Sequence, residues 1–325
     1  MKKRIIAAIL TICMGCLLAA CGKKEETVPV DMNIAVMTGP TAIGMAKVMT
    51  DNEAGTAFNS YQFQVYGTAD EISTGLIQGT LDAACVPCNL ASVLYQRTEG
   101  EVVVAAINTL GVLYLVETGD SICSVADLRG KTIFSTGQGT TPEFTLRYLL
   151  SANGIDPDQD VTMEYKSEAA EVAAALTEAT DAIAMLPQPY VTVAMNGNAN
   201  LRIALSVTEE WERLSEDSTV VTGVLVARKA FIEENEAAFQ EFLKEYEASA
   251  TYANEQVEET AEALEHFGIF KAAIAKKAIP YCNVTYLAGN EMKPLITSYL
   301  QVLFDQKPGA VGGAMPGDDF FYGAE

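Results

Sequence analysis

The chain has 325 residues, 49% of them hydrophobic, enough for one large domain or two smaller ones with real cores. Acidic residues outnumber basic ones 43 to 21, giving a formal net charge of −22. Such a chain would repel phosphate backbones, which excludes nucleic acid as a partner, and its acidic body is a poor match for an anionic membrane surface.

The chain opens as a processing segment. Lys2, Lys3 and Arg4 precede an apolar run over residues 5–18, too short for a confident membrane span, and then Leu18-Ala19-Ala20-Cys21-Gly22. Charge, apolar run, small residues and cysteine in that order predict a signal peptide over 1–20. Cys21 is then the lipidated mature N-terminus and residues 21–30 a short polar tether. The anchor is expected to be the only contact with the membrane.

Residues 32–37 read as a strand and Thr38-Gly39-Pro40-Thr41 as the turn into a helix carrying Ile43, Ala46, Val48 and Met49. A strand over 61–66 follows, then a capping box, Thr68 with Glu71, opening a helix with Ile72, Leu76 and Ile77. Residues 81–86 form a strand ending at Pro87-Cys88-Asn89, with helix over 90–95. Strands over 102–107 and 112–117 flank Asn108-Thr109-Leu110-Gly111. Cys85-Val86-Pro87-Cys88 has redox-motif spacing, but nothing around it follows a thioredoxin-like unit. Small side chains at the mouth of a strand are the simpler reading. The one histidine, His266, supplies neither a metal cluster nor a catalytic triad, so no metal, cofactor or catalytic residue is expected.

The second block is organised around residues 134–143. Thr132-Ile133-Phe134 reads as a buried strand, and Phe144, Leu146, Tyr148, Leu149 and Leu150 mark a helix. Between them Gly137 and Gly139 permit a sharp turn and close backbone approach. Thr141 before Pro142 suits an N-cap with proline at the first helical position, and Thr140 with Glu143 offers a competing capping-box register. Either way, free N–H groups and the positive end of a helix would face one small volume. Strand signals over 161–165, 181–186 and 201–205 alternate with helices, and Pro187-Gln188-Pro189-Tyr190 repeats the strand–turn–helix logic. Trp211 reads mainly as packing. After a strand over 220–227 the chain is largely helical, with a glutamate-rich solvated face beyond Phe239. This alternation predicts α/β layers with largely parallel sheets, in which ligands sit beyond the carboxyl ends of the strands.

The order of these segments resembles the extracytoplasmic solute-binding proteins of ABC importers, in the branch with nitrate, sulfonate and thiamine-precursor binders. Its carriers are Gly39-Pro40-Thr41, residues 79–84 before Pro87 and Asn89, residues 127–133 before the turn at 137–142, and residues 181–189. The resemblance spans roughly residues 31–322. It implies a two-lobed type II periplasmic-binding-protein fold with the ligand in an interlobe cleft closed by hinge motion. Lobe one would take 31–116 and 220–325 and lobe two 117–219, with crossings near 117–119 and 207–221. Ligand contacts are then expected from Thr38, Gly39, Pro40, Thr41, Asn89 and Asn108 of lobe one. Lobe two would add Gly137, Gln138, Gly139, Thr140, Thr141, Gln188 and Tyr190. The turns would supply N–H and hydroxyl donors, Asn89, Asn108 and Gln188 orientation, and Tyr190 a stacking face. The chain departs from the family pattern in lacking Arg or Lys within the turns and in lacking the cysteine-rich motif of the pyrimidine-synthesising relatives. The implied function is capture of a small organic or oxyanion solute, as a monomer, for ABC permease subunits. The alternatives are an exported enzyme or a solute sensor on the same fold.

Overall fold

The computed structural model describes residues 27–215 and 218–325. The expected signal segment, Cys21 and the first part of the expected tether lie outside the described residues. Among the described residues eleven strands follow in chain order: β1 (Asp31–Met37), β2 (Ser60–Tyr66), β3 (Ala83–Pro87), β4 (Val102–Thr109), β5 (Leu113–Thr118), β6 (Thr132–Ser135), β7 (Thr162–Tyr165), β8 (Ile183–Pro187), β9 (Leu201–Ser206), β10 (Gly223–Arg228) and β11 (Val284–Ala288). They make two sheets, β11-β4-β10-β3-β1-β2 and β7-β6-β8-β5-β9, each flanked by helices. Every residue of β4 is buried, as a strand covered on both faces requires, whereas on the edge strand β2 Tyr61 alone is buried.

Strand direction follows from how the chain changes lobes. β1 to β4 run one way, and β10 and β11 run against them. In the second sheet only β5 is reversed. β4 ends at the cleft, and the chain passes at residues 110–112 straight into β5, which must therefore start at the cleft and run away from it. On the return, residues 218–222 lead into β10 from the cleft and impose the same reversal on it. Both sheets thus present the carboxyl ends of their parallel strands to one another.

The boundary expected after residue 116 is corrected by this topology. β5 pairs with β8 and β9, so residues 113–116 belong to the second lobe. Glu117 is not a hinge residue but a buried member of that sheet. It accepts from the Ile122 N–H at 3.0 Å and the Ser121 hydroxyl at 3.0 Å and pairs with Arg202. Burial pushes its carboxyl up, yet these hydrogen bonds and the guanidinium outweigh burial and hold it below its ordinary value.

Helix Met292–Gln306 of the first lobe packs on helix Thr141–Ala152 of the second. The fully buried Trp211 fills the joint, its ring 4.4 Å from that of Tyr148 and 5.3 Å from that of Tyr299, centroid to centroid. The role is core packing, worth about 3–5 kcal/mol for a large aromatic. Thr68 is the N-cap of helix Ala69–Gln78, but its hydroxyl makes no cap bond, so the expected capping box does not form.

Cys85 lies within β3 and Cys88 opens helix Cys88–Arg97, and both are fully buried. Burial pushes the Cys85 thiol up to about 12 against the opposing pull of the Tyr246 hydroxyl, and burial raises Cys88 and Cys282 as well. Thiolates are the reactive form, so these three are inert in the folded chain. Only Cys123 of the four described cysteines is exposed. A soluble form lacking residues 1–26 should therefore show one fast thiol toward a disulfide reagent and four after denaturation. Cys123→Ser should abolish the fast one; fast reaction surviving that change would contradict the burial described.

Candidate functional site

A cavity of about 560 Å³ lies between the facing strand ends. Lobe one contributes Met37 at the end of β1 and residues 38–41 after it, 67–70 after β2, Pro87 at the end of β3 and Thr222 just before β10. Lobe two contributes Leu113 at the start of β5, Thr136 to Gln138 and Thr140 to Pro142 after β6, residues 165–169 around the end of β7, and Pro187 and Tyr190 around the end of β8. Nearly every wall is thus a turn from a strand into a helix, where backbone N–H groups lie outside the hydrogen-bond ladders of both elements. Among the described residues, the N–H groups of Gly39, Thr41, Gly137 and Gln138 meet no acceptor in the protein. All four residues border the cavity.

The lobe-two turn keeps its shape through glycine. Gly137 has φ +69°, and a Cβ there would fall 2.6 Å from Thr140 Oγ1 and 2.9 Å from Pro142 Cγ. Thr140 is the N-cap, but its hydroxyl and N–H both turn back to the Gly137 carbonyl, at 2.7 and 2.9 Å. The Gly139 N–H donates to Glu143 at 2.7 Å. Across the cleft, the Thr38 N–H and hydroxyl are both spent on the Tyr66 carbonyl, at 2.8 and 3.2 Å.

Nine of the thirteen expected contacts border the cavity: Thr38, Gly39, Pro40, Thr41, Gly137, Gln138, Thr140, Thr141 and Tyr190. Asn89, Asn108, Gly139 and Gln188 do not, and the structure gives each another place. Gln188 caps its own helix, its Oε1 accepting from the Thr192 hydroxyl at 2.9 Å and N–H at 3.2 Å. Asn89, 1% exposed, joins the lobes: Nδ2 donates to Ala310 O at 3.0 Å and to Gly139 O at 3.4 Å, while Oδ1 accepts from the Thr141 hydroxyl at 3.2 Å. Asn108 is buried behind Thr41 with no hydrogen-bond partner. The Tyr190 ring makes a T-shaped contact with Phe270, 5.3 Å between centroids. Its hydroxyl donates to Thr38 O across the cleft at 3.3 Å, and burial, with the Glu168 charge, pushes its pKa up to about 12.

Two wall segments escaped the sequence reading. Gly67 to Asp70 and Tyr165 to Ala169 are strand–turn–helix junctions without a Gly-x-Gly or Gly-Pro signature. The available signal was positional, since both directly follow a predicted strand. They carry the charge of the site. Lys166 is the one cation among the described lining residues and makes no ion pair with them, while Asp70 and Glu168 bring carboxylates. Glu168 reaches toward lobe one: a Cβ on Gly67 would lie 2.6 Å from its Oε1.

Residues 53–278 match the family described as ABC transporter, phosphonate, periplasmic substrate-binding protein. The chain belongs to this family. No curated protein matches it. The substrate-binding protein is similar to a crystallised ABC transporter protein from Parabacteroides distasonis at 24% identity and TM-score 0.74, over 91% of this chain and 99% of that one. It is similar, at 14% identity and TM-score 0.67, to the alkanesulfonate-binding protein of Xanthomonas axonopodis pv. citri bound to MOPS, over 90% and 96%. The aliphatic sulphonate binding protein of Escherichia coli matches at 16% identity and TM-score 0.70, over 90% and 91%. The fold is therefore the type II periplasmic-binding-protein fold, and the chain is the solute-binding component of an ABC importer rather than an enzyme. It works outside the cytoplasm, with a solute and a permease as partners.

Asn89 offers a direct test of the lobe contact. Asn89→Ala strips partners from Gly139, Thr141 and Ala310 together and should cost about 1–3 kcal/mol by chemical denaturation. Fluorophores on the two lobes should report a larger mean separation. An unchanged separation and midpoint would show that the contact does not hold the lobes.

Proposed function

We propose that this substrate-binding protein captures a small monoanionic organic oxyanion, of the sulfonate or phosphonate kind, and releases it to its permease. The observation that carries the reading is the convergence of four unpartnered N–H groups, two from each lobe, with Lys166 on one cavity. Helix starts favour negative charge, and N–H groups held in place need no reorganisation to meet an oxyanion. Met37, Pro40, Leu113, Pro142 and Tyr165 add apolar wall for an organic body, and about 560 Å³ suits a small organic molecule better than a bare inorganic ion. Asp70 and Glu168 oppose a second negative charge on the ligand. The family description and the sulfonate-binding relatives point to the same chemistry.

In this reading Gly39, Thr41, Gly137 and Gln138 hold the acid group and Lys166 neutralises it. Thr38, Thr140, Thr141 and Tyr190 shape the walls and the closed state. The two lobes act as halves of a hinged clamp on a monomer, tethered through a lipid on Cys21.

A thermal-shift panel of ethanesulfonate, methylphosphonate, nitrate and neutral alcohols of matching size tests it. An oxyanion with an organic body should raise the melting temperature by mass action, and Lys166→Ala should weaken its binding about tenfold, ~1.4 kcal/mol. Stabilisation by the neutral alcohols alone would overturn the reading.

A further inference from the structure

Of the six buried side-chain polar atoms left without a hydrogen-bond partner among the described residues, five lie together on the lobe-one floor of the cleft. They are Thr41 Oγ1, both amide atoms of Asn108, Thr109 Oγ1 and Thr222 Oγ1. Thr41 and Thr222 border the cavity, and Asn108 and Thr109 stand behind them, 2% and 0% exposed. Gly223 organises the cluster. A Cβ there would lie 2.4 Å from Thr41 Cγ2 and 2.6 Å from Asn108 Oδ1, so only glycine lets the two side chains meet over β10. Gly223 pairs with Thr109 on β4, and the Thr222 N–H donates to Thr109 O at 3.0 Å, which brings these two residues beside it. Asn108 also faces the Cys85 thiol and the Tyr246 hydroxyl without meeting either at hydrogen-bond geometry.

Buried polar groups without partners cost stability, and folded chains keep few of them. Their concentration at one wall of a ligand cavity marks a place whose hydrogen bonds are completed from the cavity side. The chemistry of the cluster specifies the group. It carries no charge, its hydroxyls donate or accept, and the Asn108 amide does both. A neutral group with a proton and a lone pair satisfies it, whereas a second acid group would find no cation there.

We infer that this floor is a recognition point for a hydroxyl or carboxamide on the captured molecule, so that the ligand is a hydroxy- or carbamoyl-substituted organic oxyanion. Thr41 and Thr222 touch that group, and Asn108 and Thr109 are positioning residues behind them. The inference rests on the oxyanion reading of the same cleft and adds the second end of the ligand.

The test has two arms. In calorimetry with the full mature chain, 2-hydroxyethanesulfonate should bind about tenfold tighter than ethanesulfonate, and 2-carbamoylethanesulfonate tighter than propanesulfonate. Thr41→Val should erase both preferences. The second arm needs no ligand. Thr222→Val and Asn108→Leu, each near-isosteric and apolar, should raise the melting temperature of the ligand-free protein by about 2 °C. A lower melting temperature in both would mean that these atoms have structural partners and would overturn the inference, as would equal binding within each sulfonate pair. If no member of either pair binds, the oxyanion reading fails, and the sign of the melting shift alone decides whether the floor is a completed or an open hydrogen-bonding site.

Discussion

Backbone N–H groups in a turn between a strand and a helix lie outside the ladders of both elements, and this structure gathers several such groups from two lobes into one cleft. The gathering follows from chain direction. Each βα turn leaves its donors at the carboxyl end of a parallel strand, and each crossing enters a lobe at that same edge. β5 and β10 are reversed for that reason. The four free N–H groups of Gly39, Thr41, Gly137 and Gln138 are then less a decoration of the cleft than the consequence of where the chain changes lobes.

Around those donors the polar side chains divide by task. Thr38, Thr140, Gln188 and Glu143 spend their hydrogen bonds on neighbouring backbone or side chains and hold the turns in shape. Asn89 and Tyr190 bond across the cleft, to Gly139 and Thr141 on one side and to Thr38 on the other, so the closed arrangement has contacts that belong to the protein alone. Thr145 and Tyr299 extend that contact with their hydroxyls 2.9 Å apart. What is left unspent, the backbone donors, Lys166 and the Gly223 cluster, is what a ligand can use.

Much of this was legible in the sequence. The turn around Gly137 announces itself because glycine and proline have few other uses between a strand and a helix, and the residue 38–41 turn does so for the same reason. The walls at Gly67 to Asp70 and Tyr165 to Ala169 were not read, because ordinary polar residues follow those strands and only three-dimensional convergence makes them part of a site. Asn89 and Gln188 show the opposite failure. Each follows a strand end and looks available, yet their partners, Ala310 and Thr192 among them, are known only once the chain is folded. The first crossing was misplaced because residues 102–117 are apolar almost throughout. The break at residues 110–112 is short, and nothing in composition says which side of it the chain leaves the lobe. The burial of Cys85 and Cys88 also removes the redox meaning their spacing suggested.

The central claim is that donors from both lobes meet the same molecule. Amide resonances followed by NMR during titration with ethanesulfonate, or with whichever oxyanion first stabilises the protein, measure this directly. The account predicts that Gly39 and Thr41 shift together with Gly137 and Gln138 along one saturation curve. Shifts confined to one lobe, or two curves with different midpoints, would contradict it.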